Sequence, residues 1–181
     1  SWCRWLRFHI MILDLQHIDP QRIAAIDSSG AELRYAEISQ LSKHITSLIP
    51  TRSLCFLLVE NNVGGIAWVM SMLDSRQLVP LILNVKTEDT LYQQLLNTYH
   101  PTYICAPNHF AVQGEIVDSQ YEYTLTKIAN STPALHSDLS HLLPTSGSTG
   151  SPKLVRHKYD NIEAAGLNIS TFFELKPTDQ P

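Results

Sequence analysis

The stretch of this sequence richest in chemistry is Thr145-Ser146-Gly147-Ser148-Thr149-Gly150-Ser151-Pro152-Lys153. Gly147 and Gly150 let the backbone turn tightly and approach a ligand closely. The hydroxyls of Thr145, Ser146, Ser148 and Thr149 stand among backbone N–H groups, and Lys153 ends the run with a full positive charge. Donors of this kind suit the anionic oxygens of a di- or triphosphate. A plain surface loop is the competing reading, since Ser and Gly clusters usually are that. The apolar lead-in, the glycine spacing, the rigid Pro152 and the apolar stretch directly after Lys153 weigh against it. Lys153 is therefore the candidate catalytic residue. Thr145, Ser146, Gly147, Ser148, Thr149 and Gly150 are the candidate cofactor-binding residues. No metal ligand is assigned.

A Walker-type phosphate loop places glycine directly before the lysine and a hydroxyl directly after it. Here Pro152 and Leu154 occupy those positions. Proline has no N–H to offer a phosphate, so a Walker loop is rejected. A G-x-S-x-G nucleophile elbow is absent, which leaves an α/β-hydrolase unsupported.

The other reactive side chains read as structural. Cys3, Cys55 and Cys105 are odd in number and widely spaced, so neither a disulfide framework nor a zinc ribbon is indicated. Cys55 and Cys105 lie in apolar runs and read as buried free thiols in a reducing cytoplasm. The eight histidines form no HxH or HxxxH cluster, and His44 has no visible partner along its helix. Glu37 and Glu60 read as capping or solvated carboxylates, and Trp68 and Met70 as core residues. Asp160 reads as an N-cap rather than a base.

The elements that must position the loop alternate. Ile23–Ile26 and Ala31–Tyr35, separated by Asp27-Ser28-Ser29-Gly30, predict a hairpin. From Tyr35 the period becomes helical, with Tyr35, Ile38, Leu41, Ile45 and Leu48 on one face. Ser53–Val59 is a continuous apolar run, as in a strand buried on both faces. Asn61 and Asn62 can cap a following helix that is apolar nearly all round. Leu78–Leu83 is a strand whose Pro80 argues for an edge or a strand end. Thr87 or Thr90 caps a helix presenting Leu91, Leu95 and Tyr99, and Tyr103–Ala106 is a further strand. Asn108–Gln120 gives no clear pattern. Tyr121–Ile128 alternates loosely, and Asn130–Asp138 reads as a loop. Lys153–Val155 leaves the glycine loop as a strand, and Ile162, Ala165, Ile169, Phe172 and Phe173 line a last helix. The alternation predicts an α/β fold, with a mainly parallel sheet and helices on both faces.

Composition agrees with a folded domain. Hydrophobic residues make up 44% of the 181, enough to exclude a disordered chain. The net charge of −4 leaves no basic surplus for a nucleic-acid backbone. No apolar run approaches the roughly 20 residues that span a bilayer. Met11 is the expected natural start, with Ser1–Ile10 an added or upstream extension. The alternative is an amphipathic arm bearing Trp2, Trp5 and Phe8. Residues 1–18 are thus set apart from residues 19–181.

The segment Leu142–Lys153 and the residues after it, LLPTSGSTGSPKLV, closely resemble the phosphate-loop signature of the AMP-forming adenylating enzymes. These are the acyl- and aryl-CoA synthetases, the adenylation domains of nonribosomal peptide synthetases, and the luciferases. AELRYAEI (Ala31–Ile38), Ser53–Asn61, Gln77–Leu81 and Thr102–Cys105 resemble successive family segments in family order. One departure is Tyr159, which stands where the family usually has His, with His157 two residues too early to replace it.

The resemblance implies an N-terminal portion of the large domain, truncated near Pro177–Pro181 before the magnesium, ribose and carboxylate motifs. It implies ATP-dependent activation of a carboxylic acid to an acyl-adenylate, then thioester formation of the acyl-CoA ligase type. The implied cofactors are ATP, Mg2+ and CoA or a carrier-protein pantetheine, and the implied partner is a small-molecule carboxylate. By this reading the 181 residues alone carry the phosphate loop and are inactive. Truncation predicts exposed apolar surface around Phe172 and Phe173, and self-association through it. An adenylation domain of a peptide synthetase, a noncatalytic interaction module and an unrelated phosphate-binding domain are the alternatives.

Overall fold

The computed structural model describes residues 15–145, 153–160 and 173. Expectations for the N-terminal arm, for Ser146–Gly150, for Phe172 and for the helix after Asp160 lie outside these residues. After a 3₁₀ turn at Leu15–His17, strands β1 (Ile23–Ile26) and β2 (Glu32–Arg34) form the anticipated antiparallel hairpin. Asp27 closes its turn, accepting from the Ser29 N–H and hydroxyl, and also accepts from the Val63 N–H at 3.2 Å. These bonds hold its carboxyl below the usual carboxylate range.

Helix α1 (Tyr35–Leu48) buries Tyr35, Ile38, Leu41 and Ile45 at the spacing the sequence predicts. The Glu37 carboxylate accepts from the Arg34 N–H at 2.7 Å, so it works as a cap. Strand β3 (Ser53–Val59) is buried at every residue. Helix α2 (Val63–Ser75) is capped by Asn62, whose side chain accepts from the Gly65 N–H. Then come β4 (Leu78–Asn84), helix α3 (Asp89–Tyr99), β5 (Tyr103–Pro107), β6 (Glu115–Gln120), β7 (Tyr123–Lys127), β8 (Leu139–Pro144) and β9 (Leu154–Lys158).

Seven strands make one sheet in the order β6-β7-β5-β3-β4-β8-β9. Its centre, β5-β3-β4-β8, is parallel. Its margins, β6-β7-β5 on one side and β8-β9 on the other, are antiparallel. The period of two along β3 divides the interior. Cys55, Leu57 and Val59 enter one core with α1 and α2, while Leu54, Phe56 and Leu58 enter a second core with Tyr92 and Leu95 of α3. This is an α/β sandwich with helices on both faces.

Three readings of the sequence need correction, and one stretch without a reading gains an element. Strand β4 is internal, between β3 and β8, and Pro80 lies opposite Cys55. The ladder from β4 to β8 pairs only at Leu81, so the missing proline N–H falls where few bonds were to be made. Helix α3 starts after Glu88, with no side-chain cap, because the Thr87 hydroxyl is turned back to the Asn84 carbonyl. The unreadable stretch contains β6, an exposed edge strand with Ile116 70% accessible, so no buried face imposed a pattern on it. Phe173, expected to be stranded, is 2% accessible in the core of α1 and α2.

Strands β6 and β7 meet at a two-residue turn in which Tyr121 (φ 54°) and Glu122 (φ 62°) are both left-handed. Hairpins favour this turn, but with Asn or Gly at those positions. The strain is held from two sides. The Trp68 indole donates to the Gln120 carbonyl at 3.1 Å, and the Asn108 N–H donates to the Glu122 carbonyl at 2.8 Å. Beneath the turn Gly64 makes the fit possible, since a Cβ there would lie 2.5 Å from the Tyr121 carbonyl oxygen. Glu122→Gly is expected to stabilise the fold by about 1 kcal/mol in urea unfolding, because a left-handed Glu is relieved. Gly64→Ala is expected to destabilise by about 2 kcal/mol or more through overpacking. A neutral Gly64→Ala would show that the turn does not rest on α2.

Candidate phosphate-binding hairpin

All four parallel strands end at one edge of the sheet. Glu60 follows β3, Asn84 ends β4, Asn108 follows β5 and Thr145 follows β8. The chain leaving β3 enters α2 on one face, and the chain leaving β4 enters α3 on the other. In open α/β sheets the crevice outside such strand ends is where ligands bind. The glycine loop leaves the sheet at this edge.

Strands β8 and β9 hold the two ends of that loop together. Pro144 lies opposite Leu154. One residue further on, the Thr145 N–H donates to the Lys153 carbonyl at 2.9 Å, and the Thr145 hydroxyl donates to the same oxygen at 3.1 Å. Thr145 and Lys153, the two described candidate site residues, are thus brought face to face and are both exposed. The Thr145 proton is engaged by that carbonyl and must leave it to reach a phosphate. The Lys153 side chain carries the charge outward. Ser146, Gly147, Ser148, Thr149 and Gly150 lie between these ends, outside the described residues.

Midway along the hairpin, His141 lies opposite His157, with their rings stacked at 4.4 Å. His141 is fully buried, and its Nδ1 pairs with the Ser140 hydroxyl at 2.9 Å. Burial, with the His157 ring adding to it, lowers the His141 pKa to about 3. Burial lowers the His157 pKa as well. Both rings are therefore neutral near pH 7, and the hairpin carries no buried charge there.

The foot of the hairpin is fixed by two arginines. The Arg52 guanidinium donates to the carbonyls of Arg76 (3.2 Å), His136 (3.1 Å) and Leu139. The Arg76 guanidinium lies 4.2 Å from the centre of the Tyr159 ring, an attraction of about 0.5–2 kcal/mol depending on its exposure. The Tyr159 N–H donates to the Asp138 carbonyl at 3.0 Å. Burial raises the Tyr159 phenol pKa against the pull of Arg52 and Arg76. This residue stands where the resembled family has His, and here it is a buried packing group at the far end of the strand from Lys153.

Elsewhere the sequence missed pairs made by distant residues. His44 is partnered after all: its Nε2 lies 3.2 Å from an oxygen of Asp118 on β6, 74 positions along the chain. Glu60 meets His109 at 2.5 Å and also accepts from the Asn62 amide. Cys55 and Cys105 are buried, and burial pushes both thiols up, as inert core cysteines require. Among the described residues no three His, Cys, Asp or Glu side chains are grouped to hold a metal.

No family model matches the chain, and no curated protein matches it. Solved structures do. One is o-succinylbenzoate CoA synthetase (MenE) from Bacillus subtilis bound to its acyl-adenylate intermediate. It has a TM-score of 0.62 and 17% identity, over 94% of this chain and 47% of that one. Another is the N-terminal subdomain of Klebsiella oxytoca NpsA, with a TM-score of 0.58 and 17% identity, over 87% of this chain and 42% of that one. A third is apo MatB from Rhodopseudomonas palustris, with a TM-score of 0.57 and 16% identity, over 94% of this chain and 38% of that one. The fold is similar to part of the N-terminal subdomain of AMP-forming adenylating enzymes. The chain spans less than half the length of these three structures.

The neutral histidines make the fold acid-sensitive. A histidine of depressed pKa binds its proton more readily unfolded, so stability is full above the unfolded value of about 6.5 and falls as pH drops from there toward 3. His141 is expected to contribute up to about 1.4 kcal/mol of loss per pH unit in that window. Urea unfolding at pH 7.0, 6.0 and 5.0 reads this slope, and His141→Leu should flatten it. An equal slope in the variant would place the titrating group elsewhere.

Proposed function

We propose that this chain is the ATP-tail-binding part of an AMP-forming acid–thiol ligase. In the complete enzyme a carboxylate attacks the α-phosphorus of ATP and expels pyrophosphate, and the acyl-adenylate then passes its acyl group to a thiol. The carrying observation is the hairpin neck: Thr145 and Lys153, the ends of the phosphate-loop-like segment, meet at the carboxyl edge of a parallel sheet. The structural neighbours support the reading, one being bound to an acyl-adenylate and another, also a Bacillus subtilis MenE, to ATP and magnesium ion.

The donor set fits a polyphosphate. Backbone N–H groups of Gly147 and Gly150 and the hydroxyls of Ser146, Ser148 and Thr149 would bond the β- and γ-phosphate oxygens, with Thr145 joining once its hydroxyl turns. Lys153 offsets charge on the departing pyrophosphate. Its backbone carbonyl is held by Thr145 at the start of β9, which limits where its charge can reach, and preorganised charge is what lowers a barrier. Mg2+ when bound would share the phosphate charge. No metal-holding cluster occurs among the described residues, so this reading places magnesium's protein ligands beyond them. The thiol is that of CoA or a carrier-protein pantetheine, and the acyl-CoA ligase is favoured over the peptide-synthetase adenylation domain. The buried free thiols of Cys55 and Cys105 support a place in the cytoplasm for this reading.

In the intact enzyme, scanned with fatty, aryl and amino acids, Lys153→Ala is expected to depress carboxylate-dependent pyrophosphate exchange by about 100-fold, with a smaller loss for Thr149→Ala. Both should keep wild-type unfolding curves. The 181 residues alone should show no saturation by ATP below millimolar. Unchanged exchange in both variants would remove the site assignment, and tight ATP binding by these residues alone would contradict an incomplete site.

A further inference from the structure

We propose that Tyr159 is a positioning residue for Lys153, acting as the pin that sets the register of the β8–β9 hairpin. In a short hairpin the turn type fixes the register. Here seven residues separate Thr145 from Lys153, and a connection of that length leaves the register to other contacts. Two contacts lie within the ladder, the Thr145–Lys153 neck and the His141–His157 stack. A one-residue slip takes the Thr145 N–H off the Lys153 carbonyl, and losing one such exposed bond is a small net cost, so the neck alone does not choose.

The foot does choose. Tyr159 is 8% accessible, under the Arg76 guanidinium, with its N–H on the Asp138 carbonyl. Arg76 is itself the left-handed cap of α2 (φ 56°), and its carbonyl is held by Arg52, which also holds His136 and Leu139 just before and at the start of β8. One cluster therefore fixes both strands to the end of α2. The ladder between them carries an irregularity at Leu139/His141, where pairing alone specifies register poorly.

Parity makes the pin matter. Side chains of a strand alternate between faces, so a one-residue slip would turn Lys153 to the opposite face of the sheet. Leu154 and Val155 would exchange faces too. Tyr159 thus bears on the charge at the far end of the strand, roughly 20 Å away at about 3.3 Å per residue. The part of this inference that concerns nucleotide rests on the adenylating reading. The part that concerns register does not.

The test replaces Tyr159 by Leu and by Phe, with Arg76→Met as a third variant that removes the cation and keeps the ring. Amide hydrogen exchange at Thr145 is measured in the 181-residue chain, and Mg·ATP affinity by calorimetry in the intact protein. If the slipped register takes nine-tenths of the population, apparent affinity falls about tenfold. Tyr159→Leu and Arg76→Met should therefore exchange Thr145 faster in the 181-residue chain and bind Mg·ATP about tenfold more weakly in the intact protein. Tyr159→Phe should behave as wild type. Should Tyr159→Leu fail to fold, Arg76→Met decides the same question. Unaltered Thr145 exchange in the folded variants overturns the proposal, as does an affinity unchanged in all three. If the wild-type protein binds no Mg·ATP, the adenylating reading falls, and exchange alone then upholds or overturns the register role.

Discussion

Everything in this molecule is placed by the burial of one strand on both faces. β3 is buried at all seven residues. Fully burying a side chain such as Leu or Phe contributes about 1.5–3 kcal/mol relative to exposure. A strand in that position demands cover on each side, and the chain supplies it with α1 and α2 below one face and α3 below the other. The two crossovers that deliver α2 and α3 run from strand ends at a single edge. Polar connections gather at that edge, from Glu60 and Asn62 through Asn84 to Thr145. The location of the proposed binding loop thus follows from the packing of a core.

The edge alone does not make a site. A loop of small polar residues needs its ends fixed, and in this chain the fixing contacts are distributed along a hairpin. The neck joins Thr145 to Lys153, a neutral histidine stack fills the middle, and an arginine-held tyrosine closes the foot. Each level uses a different interaction, and none puts a buried charge next to the loop. Lys153 is then the charged group at the hairpin neck, a favourable setting for meeting an anion.

Much of this could be read from sequence where a local period or a local motif carried the information. The faces of α1 and α2, the double burial of β3 and the Asn62 cap were all visible, since burial imposes period on residues near one another. The candidate loop Thr145–Lys153 stood out by a local motif rather than a period, and its role belongs to the proposal. What escaped was decided by partners far along the chain. β6 has no apolar face of its own, Pro80 is tolerated because of a sparsely paired neighbour, and His44 depends on Asp118. Arg52 reads as an ordinary surface cation until its three carbonyl acceptors, 24, 84 and 87 residues away, are brought to it. Tyr159 looked like a lost functional histidine, and the fold uses it as a packing pin.

A crystal structure of the intact protein with Mg·ATP tests the central claim most directly. The account predicts β- and γ-phosphate oxygens within hydrogen-bond distance of groups between Thr145 and Lys153, at the carboxyl edge of β8. Phosphates seated instead on the glycines that open α2, where Asp27 and Asn62 already take the Val63 and Gly65 N–H groups, would contradict it.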